Sequence, residues 1–192
     1  SAEPFADWEF TGPQAGSRLG ASLAGLGDLN QDGYADFAVG APFYDGSGYI
    51  DIGLVHVFFG ADETLLSALP FWTAYGSREY ELFGYSLDGG GDVDANNFVD
   101  FIIGARGYNI LRVEVGGVYL ITNSGGTLTQ APVKTGPSNA GYGASVAILG
   151  DLNSDGYADV AVGAPTCDRL TDNEAGCVFV YRGSETGLPD YQ

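Results

Sequence analysis

Three short acidic segments carry most of the chemistry this sequence can offer. They read Asp28-Leu29-Asn30-Gln31-Asp32-Gly33-Tyr34-Ala35-Asp36, Asp92-Val93-Asp94-Ala95-Asn96-Asn97-Phe98-Val99-Asp100 and Asp151-Leu152-Asn153-Ser154-Asp155-Gly156-Tyr157-Ala158-Asp159. Each places oxygen-bearing side chains at segment positions 1, 3, 5 and 9, three of them carboxylates and one an amide. A hard divalent cation requires such a set: several oxygen donors gathered by a short turning loop, with enough negative charge to offset dehydration. The expectation is three calcium sites. Helix-flanked calcium loops are a poor match, because they need an acidic ligand at position 12. Here position 12 is Val39, Ile103 or Val162, inside the apolar runs Phe37-Ala38-Val39, Phe101-Ile102-Ile103 and Val160-Ala161-Val162. Runs this short, closed by glycine, read as buried strands entered directly from the loop.

The elements that must hold these loops repeat with them. Eight residues before each loop stands Gly20, Gly84 or Gly143, preceded by Leu19, Phe83 or Tyr142. Four residues after each last Asp comes Gly40-Ala41, Gly104-Ala105 or Gly163-Ala164, then Pro42, Arg106 or Pro165. Between residues 28–42 and 151–165, thirteen of fifteen positions are identical, so the chain is an array of one supersecondary unit. Four strands per unit are expected. The first carries the aromatic-Gly (Leu19 to Leu23, Phe83 to Leu87, Tyr142 to Ile148) and the second follows the acidic loop. The third is Gly-led and apolar, from Gly53, Gly117 and Gly176; the fourth lies near Phe71 to Ala74 and Val133 to Thr135. Four-stranded units repeated radially make a β-propeller, so the fold class is all-β. The connections 43–52, 107–116 and 166–175 are long and dissimilar, and divergent loops on a repeated scaffold are where recognition concentrates.

Composition narrows the function. With 192 residues, 45% hydrophobic and 13% aromatic, the chain can bury a real core. A formal charge of −18, with seven Lys and Arg against 25 Asp and Glu, excludes nucleic acid and anionic membrane surfaces as natural partners. No apolar run is long enough to span a bilayer, and the absence of Met reads as a processed form or a piece of a longer polypeptide. Cys167 and Cys177 flank a polar stretch and are expected to pair as a disulfide, pointing to an extracellular, oxidising compartment. His56, the single histidine, alternates within an apolar strand and reads as a wall or interface residue. Glu79 and Glu81 read as a solvated strand face rather than an acid–base pair. With no nucleophile–base pair in view, the chain is expected to be non-enzymatic.

The pairs Phe83-Gly84 and Gly163-Ala164-Pro165, bracketing Asp-x-Asn-x-Asp-Gly-x-x-Asp, resemble the FG-GAP repeat, which builds the propeller of integrin α-subunits. The resemblance covers about residues 18 to 183. It implies calcium held between first and second strands by the side chains of Asp28, Asn30, Asp32 and Asp36, of Asp92, Asp94, Asn96 and Asp100, and of Asp151, Asn153, Asp155 and Asp159. Tyr34, Phe98 and Tyr157 would add backbone carbonyls. Asn97 replaces the position-6 glycine of the second loop, so that site is expected to be the weakest. The repeats are expected at about 13–75, 76–135 and 136–192, within one partial propeller spanning 1–192. Residues 4–12 are expected as an orphan outer strand that completes the third unit. Two chains exchanging these strands would give a six-bladed 3+3 homodimer; a segment of a longer propeller is the alternative. The resemblance implies a secreted or cell-surface binding or adhesion module for a protein partner, with Phe43, Tyr44, Tyr49, Tyr108 and Arg112 as candidate contacts. A glycan-binding, lectin-like propeller and an accessory domain of a secreted hydrolase are the other readings.

Overall fold

The computed structural model describes residues 8–62, 69–168 and 175–189. Every regular element in them is an antiparallel β-strand, and no helix forms among the described residues. The first sheet is a meander of β1 (Ser22–Gly27), β2 (Asp36–Ala41), β3 (Leu54–Phe58) and β4 (Trp72–Tyr75), each strand paired with the next in sequence. The second contains β5 (Phe83–Gly91) and β6 (Asp100–Ala105). After it, a small hairpin of β7 (Asn109–Ile110) and β8 (Val113–Glu114) leads to β9 (Gly117–Ser124). β10 (Thr127–Gln130) and β11 (Lys134–Thr135) both pair with β9. The third sheet is β12 (Ser145–Gly150), β13 (Asp159–Ala164) and β14 (Cys177–Tyr181). These sheets are blades of a β-propeller.

The first strands begin later than expected in two blades, at Ser22 and Ser145 rather than at Leu19 and Tyr142. The aromatic-Gly pair is a turn that feeds the strand: Gly20, Gly84 and Gly143 have φ of 89°, 83° and 83°, a left-handed conformation that glycine adopts without steric cost. The expected single fourth strand of the second blade is split into β10 and β11. Residues 8–12 pair with no strand, whereas 4–7 lie outside the described residues. Trp8 and Phe10 pack edge-on against the first blade, with Trp8 centred 5.1 Å from Phe58 and Phe10 5.5 Å from His56.

Period-two alternation gives each blade two faces, and these stack the blades. Ala38, Val55 and Val57 of the first blade, each fully buried, pack against Phe101, Ile103, Tyr119 and Ile121 of the second. The opposite face of the second blade, Ile102, Val118 and Leu120, receives Val146, Val160, Val162, Phe179 and Tyr181 of the third. Backbones approach closely at each seam. The Ser22 hydroxyl donates to the Gly84 carbonyl at 2.6 Å, and Ser86 donates to Gly143 at 2.9 Å. A Cβ on Gly40 or Gly104 would overlap those same carbonyl oxygens, so the glycine of each Gly-Ala pair is a spacing requirement of the seam.

Candidate metal loops and the opposite loop face

The three acidic loops fold to one hydrogen-bond pattern. The position-1 carboxylate (Asp28, Asp92 or Asp151) accepts the N–H of position 5 at 3.0, 3.0 and 3.1 Å. Its second oxygen accepts the N–H of position 6 at 2.8, 2.7 and 2.8 Å. The position-5 side chain (Asp32, Asn96 or Asp155) accepts the N–H of position 7, at Tyr34, Phe98 or Tyr157. Position 6 is left-handed in all three, with φ of 94° at Gly33, 69° at Asn97 and 94° at Gly156, so asparagine satisfies what the glycines do. Position 4 is left-handed as well, at Gln31, Ala95 and Ser154. Nothing in those residue types announced it; the side-chain hydrogen bonds on either side enforce it.

The last Asp of each loop does a second job. Asp36, Asp100 and Asp159 are buried, and one oxygen of each accepts the N–H of position 2 (Leu29, Val93 or Leu152) at 2.7, 2.8 and 2.9 Å. The other accepts an N–H just beyond or at the end of the third strand, from Gly60, Asn123 or Gly183, at 2.8, 2.9 and 3.0 Å. Each carboxylate therefore staples the loop to the strand that passes behind it. Neighbouring loops are tied to one another too. Asn123 donates its amide to the Leu29 carbonyl at 2.7 Å, and the Ala158 N–H donates to the Asp92 carbonyl at 2.8 Å.

The electrostatics of the second loop suit a cation. Carboxylate oxygens of Asp92, Asp94 and Asp100 lie within 4.8 Å of one another, a span that a hard ion with oxygen bonds of about 2.3–2.6 Å can bridge. Burial, with the charges of Asp94 and Asp92 adding to it, pushes the Asp100 carboxyl up to about 7. Burial likewise raises Asp36 and Asp94, whereas Asp151, fully exposed, is lowered by the Gly156 N–H. The second loop, expected to be the weakest, is the one whose carboxylates converge among the described residues. The reason is Asp94, which stands where the others have Asn30 and Asn153. Those amides instead donate to Asp32 and Asp155 at 2.8 Å.

Antiparallel pairing sends the second-to-third and fourth-to-first connections to the opposite end of the blades. There a cleft of about 800 Å³ opens between the first two blades, lined by Phe43, Asp51, Glu79, Tyr80, Tyr85, Arg106, Arg112 and Glu114 among others. Of the residues singled out from the sequence, Phe43 and Arg112 line it, with Arg18 stacked 4.4 Å from the Phe43 ring. Tyr49 is half exposed on its own loop, and Tyr44 packs on Tyr75 at 5.6 Å. Tyr108 is buried against Tyr119 beneath Arg78 and is a core residue, not a contact. Glu81 also departs from its reading. It is fully buried and accepts the N–H groups of Ser77 and Arg78 and the Tyr119 hydroxyl, shaping the turn before β5. Tyr80, Tyr85 and Arg106 were missed, since only the fold brings those turns together. Cys167 and Cys177 form the expected disulfide, with Cα atoms 5.5 Å apart. Residues 169–174 of that loop lie outside the described residues.

Blades stacked through a repeated Ser–Gly seam, with one acidic loop per blade, define an FG-GAP-type propeller. The FG-GAP repeat profile matches residues 19–58 and 142–181. Across most of its length the chain is similar to integrin α subunits. Integrin alpha-8 of Mus musculus is 33% identical over 179 residues, 90% of this chain and 16% of the relative. Integrin alpha-7 of Rattus norvegicus is 33% identical over 186 residues, 93% of this chain and 15% of the relative. Integrin alpha-IIb of Homo sapiens is 42% identical over 110 residues, 54% of this chain and 10% of the relative. The chain thus carries FG-GAP repeats and is similar to integrin α subunits, and it spans a small fraction of the length of these relatives.

Proposed function

We propose that this chain is a non-enzymatic, calcium-stabilised recognition module of the adhesion type, working outside the cell or at its surface as one partial propeller domain over 1–192. The observation that carries calcium is the convergence of Asp92, Asp94 and Asp100 in a loop whose oxygen-bearing side chains at positions 1, 3, 5 and 9 recur in the other two. Three Ca²⁺ ions would be held by Asp28, Asn30, Asp32, Asp36 and the Tyr34 carbonyl, by Asp92, Asp94, Asn96, Asp100 and the Phe98 carbonyl, and by Asp151, Asn153, Asp155, Asp159 and the Tyr157 carbonyl. A bound ion supplies positive charge that offsets the clustered carboxylates. Its role is structural. The loops are tied across blades through Asn123–Leu29 and Ala158–Asp92, so stiffening one loop stiffens the seam beside it.

Recognition belongs to the opposite end. The cleft between the first two blades combines Phe43, Tyr80 and Tyr85 with Arg106, Arg112 and several carboxylates, the mixture of aromatic and arginine that dominates protein–protein contact energy. A protein ligand is the partner this lining fits. The disulfide supports an oxidising, extracellular setting. Calorimetric titration is expected to return three Ca²⁺ per chain, and two for Asp155→Ala. An unchanged stoichiometry in that variant would sink the ligand assignment. Screening immobilised extracellular proteins and glycans with Tyr80→Ala and Arg112→Glu controls tests the binding face. Glycan binding alone would replace the protein-ligand reading.

A further inference from the structure

The second acidic loop exchanges the residue types of positions 3 and 5. It has Asp94 and Asn96 where the first has Asn30 and Asp32 and the third has Asn153 and Asp155. The number of carboxylates is unchanged, but the amide is spent differently. Asn30 and Asn153 donate within their own loops, to Asp32 and Asp155. Asn96 instead donates out of its loop, to the Asn123 carbonyl at 2.8 Å.

Asn123 also sets the second blade apart. Its N–H donates to Asp100 as those of Gly60 and Gly183 donate to Asp36 and Asp159, so the other two blades carry glycine at this position. Asn123 is fully buried, and both ends of its side chain are used. Oδ1 accepts the Gly126 N–H at 2.8 Å, and Nδ2 donates to the Leu29 carbonyl at 2.7 Å. Leu29 is position 2 of the first loop, between Asp28 and Asn30, and its own N–H is held by Asp36. The third blade shows where such a side chain must point. A Cβ on Gly183 would come 2.7 Å from the carbonyl of Val93, the counterpart of Leu29 in the second loop. A side chain at this position reaches the loop of the preceding blade, and of the three blades the second supplies one.

We propose that Asn123 is a positioning residue that couples the first two acidic loops, so that filling the second raises the divalent-cation affinity of the first. This rests on the calcium reading of the loops. Asp100 and Asn96, two of the four oxygen-bearing side chains of the second loop, both bond to Asn123, so fixing them fixes the amide that anchors Leu29. The first loop then has less left to order when it binds. By linkage, filling the first loop raises the affinity of the second by the same factor. A further contact between these loops, from Gln31 Nε2 to the Asn97 carbonyl, is exposed and long at 3.3 Å. The third loop is tied to the second through backbone, from the Ala158 N–H to the Asp92 carbonyl, and does not depend on the side chain of Asn123.

Calorimetric titration of the Asp155→Ala chain with Ca²⁺, in which the first two loops remain, tests the coupling. Adding Asp94→Ala leaves the first loop alone, and its affinity is expected to fall about fivefold or more, the lower end of ordinary coupling between sites. In an Asn123→Gly background the same step is expected to leave the affinity of the first loop unchanged. Glycine keeps the backbone bonds to Asp100 and Asn96 and is what the other blades carry, so the staple survives in this variant. An equal fall in both backgrounds, or a fall in neither, overturns the proposal. Amide exchange gives a second readout that needs no ion in the first loop. With the first and third loops disabled by Asp32→Ala and Asp155→Ala, Ca²⁺ is expected to slow exchange over residues 30–33 when Asn123 is present and not in Asn123→Gly. The same exchange in both chains overturns it as well. A parent chain that binds no Ca²⁺ overturns this reading and the calcium reading together, whereas three bound ions in uncoupled loops overturn this one alone.

Discussion

Replacing Asp100 by Ala separates the staple from the metal ligand within one residue. Asp100 is fully buried, and its two oxygens accept the Val93 N–H at 2.8 Å and the Asn123 N–H at 2.9 Å. Removing the carboxylate strands both donors, at about 1–3 kcal/mol apiece. Removing a buried charge that burial and two neighbouring aspartates already oppose returns part of that loss. The net expectation is a destabilisation of about 2–4 kcal/mol in chelator, a large share of the roughly 5–15 kcal/mol that holds a domain together. Asp94→Ala is the control. Its carboxylate lies within the same oxygen cluster but staples no strand, and its charge opposes its neighbours. In chelator it is expected to be neutral or stabilising, and in calcium it is expected to destabilise. Urea unfolding followed by tryptophan fluorescence reads both, and 3 kcal/mol moves the midpoint by about 1–3 M for a slope of about 1–3 kcal/mol/M. Equal behaviour of the two variants in chelator would refute the staple.

Two further outcomes follow from packing at the seams. Gly104→Ala would drive a Cβ into the Gly143 carbonyl of the next blade and is expected to cost about 1–3 kcal/mol or more, by overpacking against backbone. Gly163→Ala in dilute, monomeric protein meets only the movable Ser145 hydroxyl at short range and is expected to cost less; equal losses would contradict the seam geometry. His56 is held neutral by burial, its pKa below the ordinary 6.5, bonded to Thr73 at 2.8 Å and edged by Phe10. The unfolded chain therefore binds a proton that the folded chain refuses, so stability falls as pH drops below about 6.5 and levels off below the folded value. In saturating calcium, His56→Phe is expected to flatten that part of the profile measured by thermal unfolding. A profile identical to the parent's would show that the ring titrates freely.

The sequence by itself determined the unit and its chemistry. The oxygen spacing in the three loops, the apolar runs after them and the Gly-led third strands are local signals, set by hydrogen-bond geometry within a few residues and by period-two burial. The loops therefore appear where the residues placed them, and asparagine could stand for glycine at position 6 because both tolerate a left-handed backbone. The cysteine pair also falls within one connection and was legible there. What the tertiary structure decided is everything that depends on which blade faces which. Asp100 reads as a ligand in sequence, and only the strand passing behind it makes it a staple. Gly40 reads as a strand end, and only the Gly84 carbonyl of the next blade makes it indispensable. Tyr108 looked like a loop aromatic and Glu81 like a surface acid, yet both are sealed between the first two blades by Tyr119. That Trp8 and Phe10 pack their rings against Phe58 of the first blade is likewise set by the fold alone. Burial between blades is a sum over residues far apart in the chain, and no local pattern encodes it.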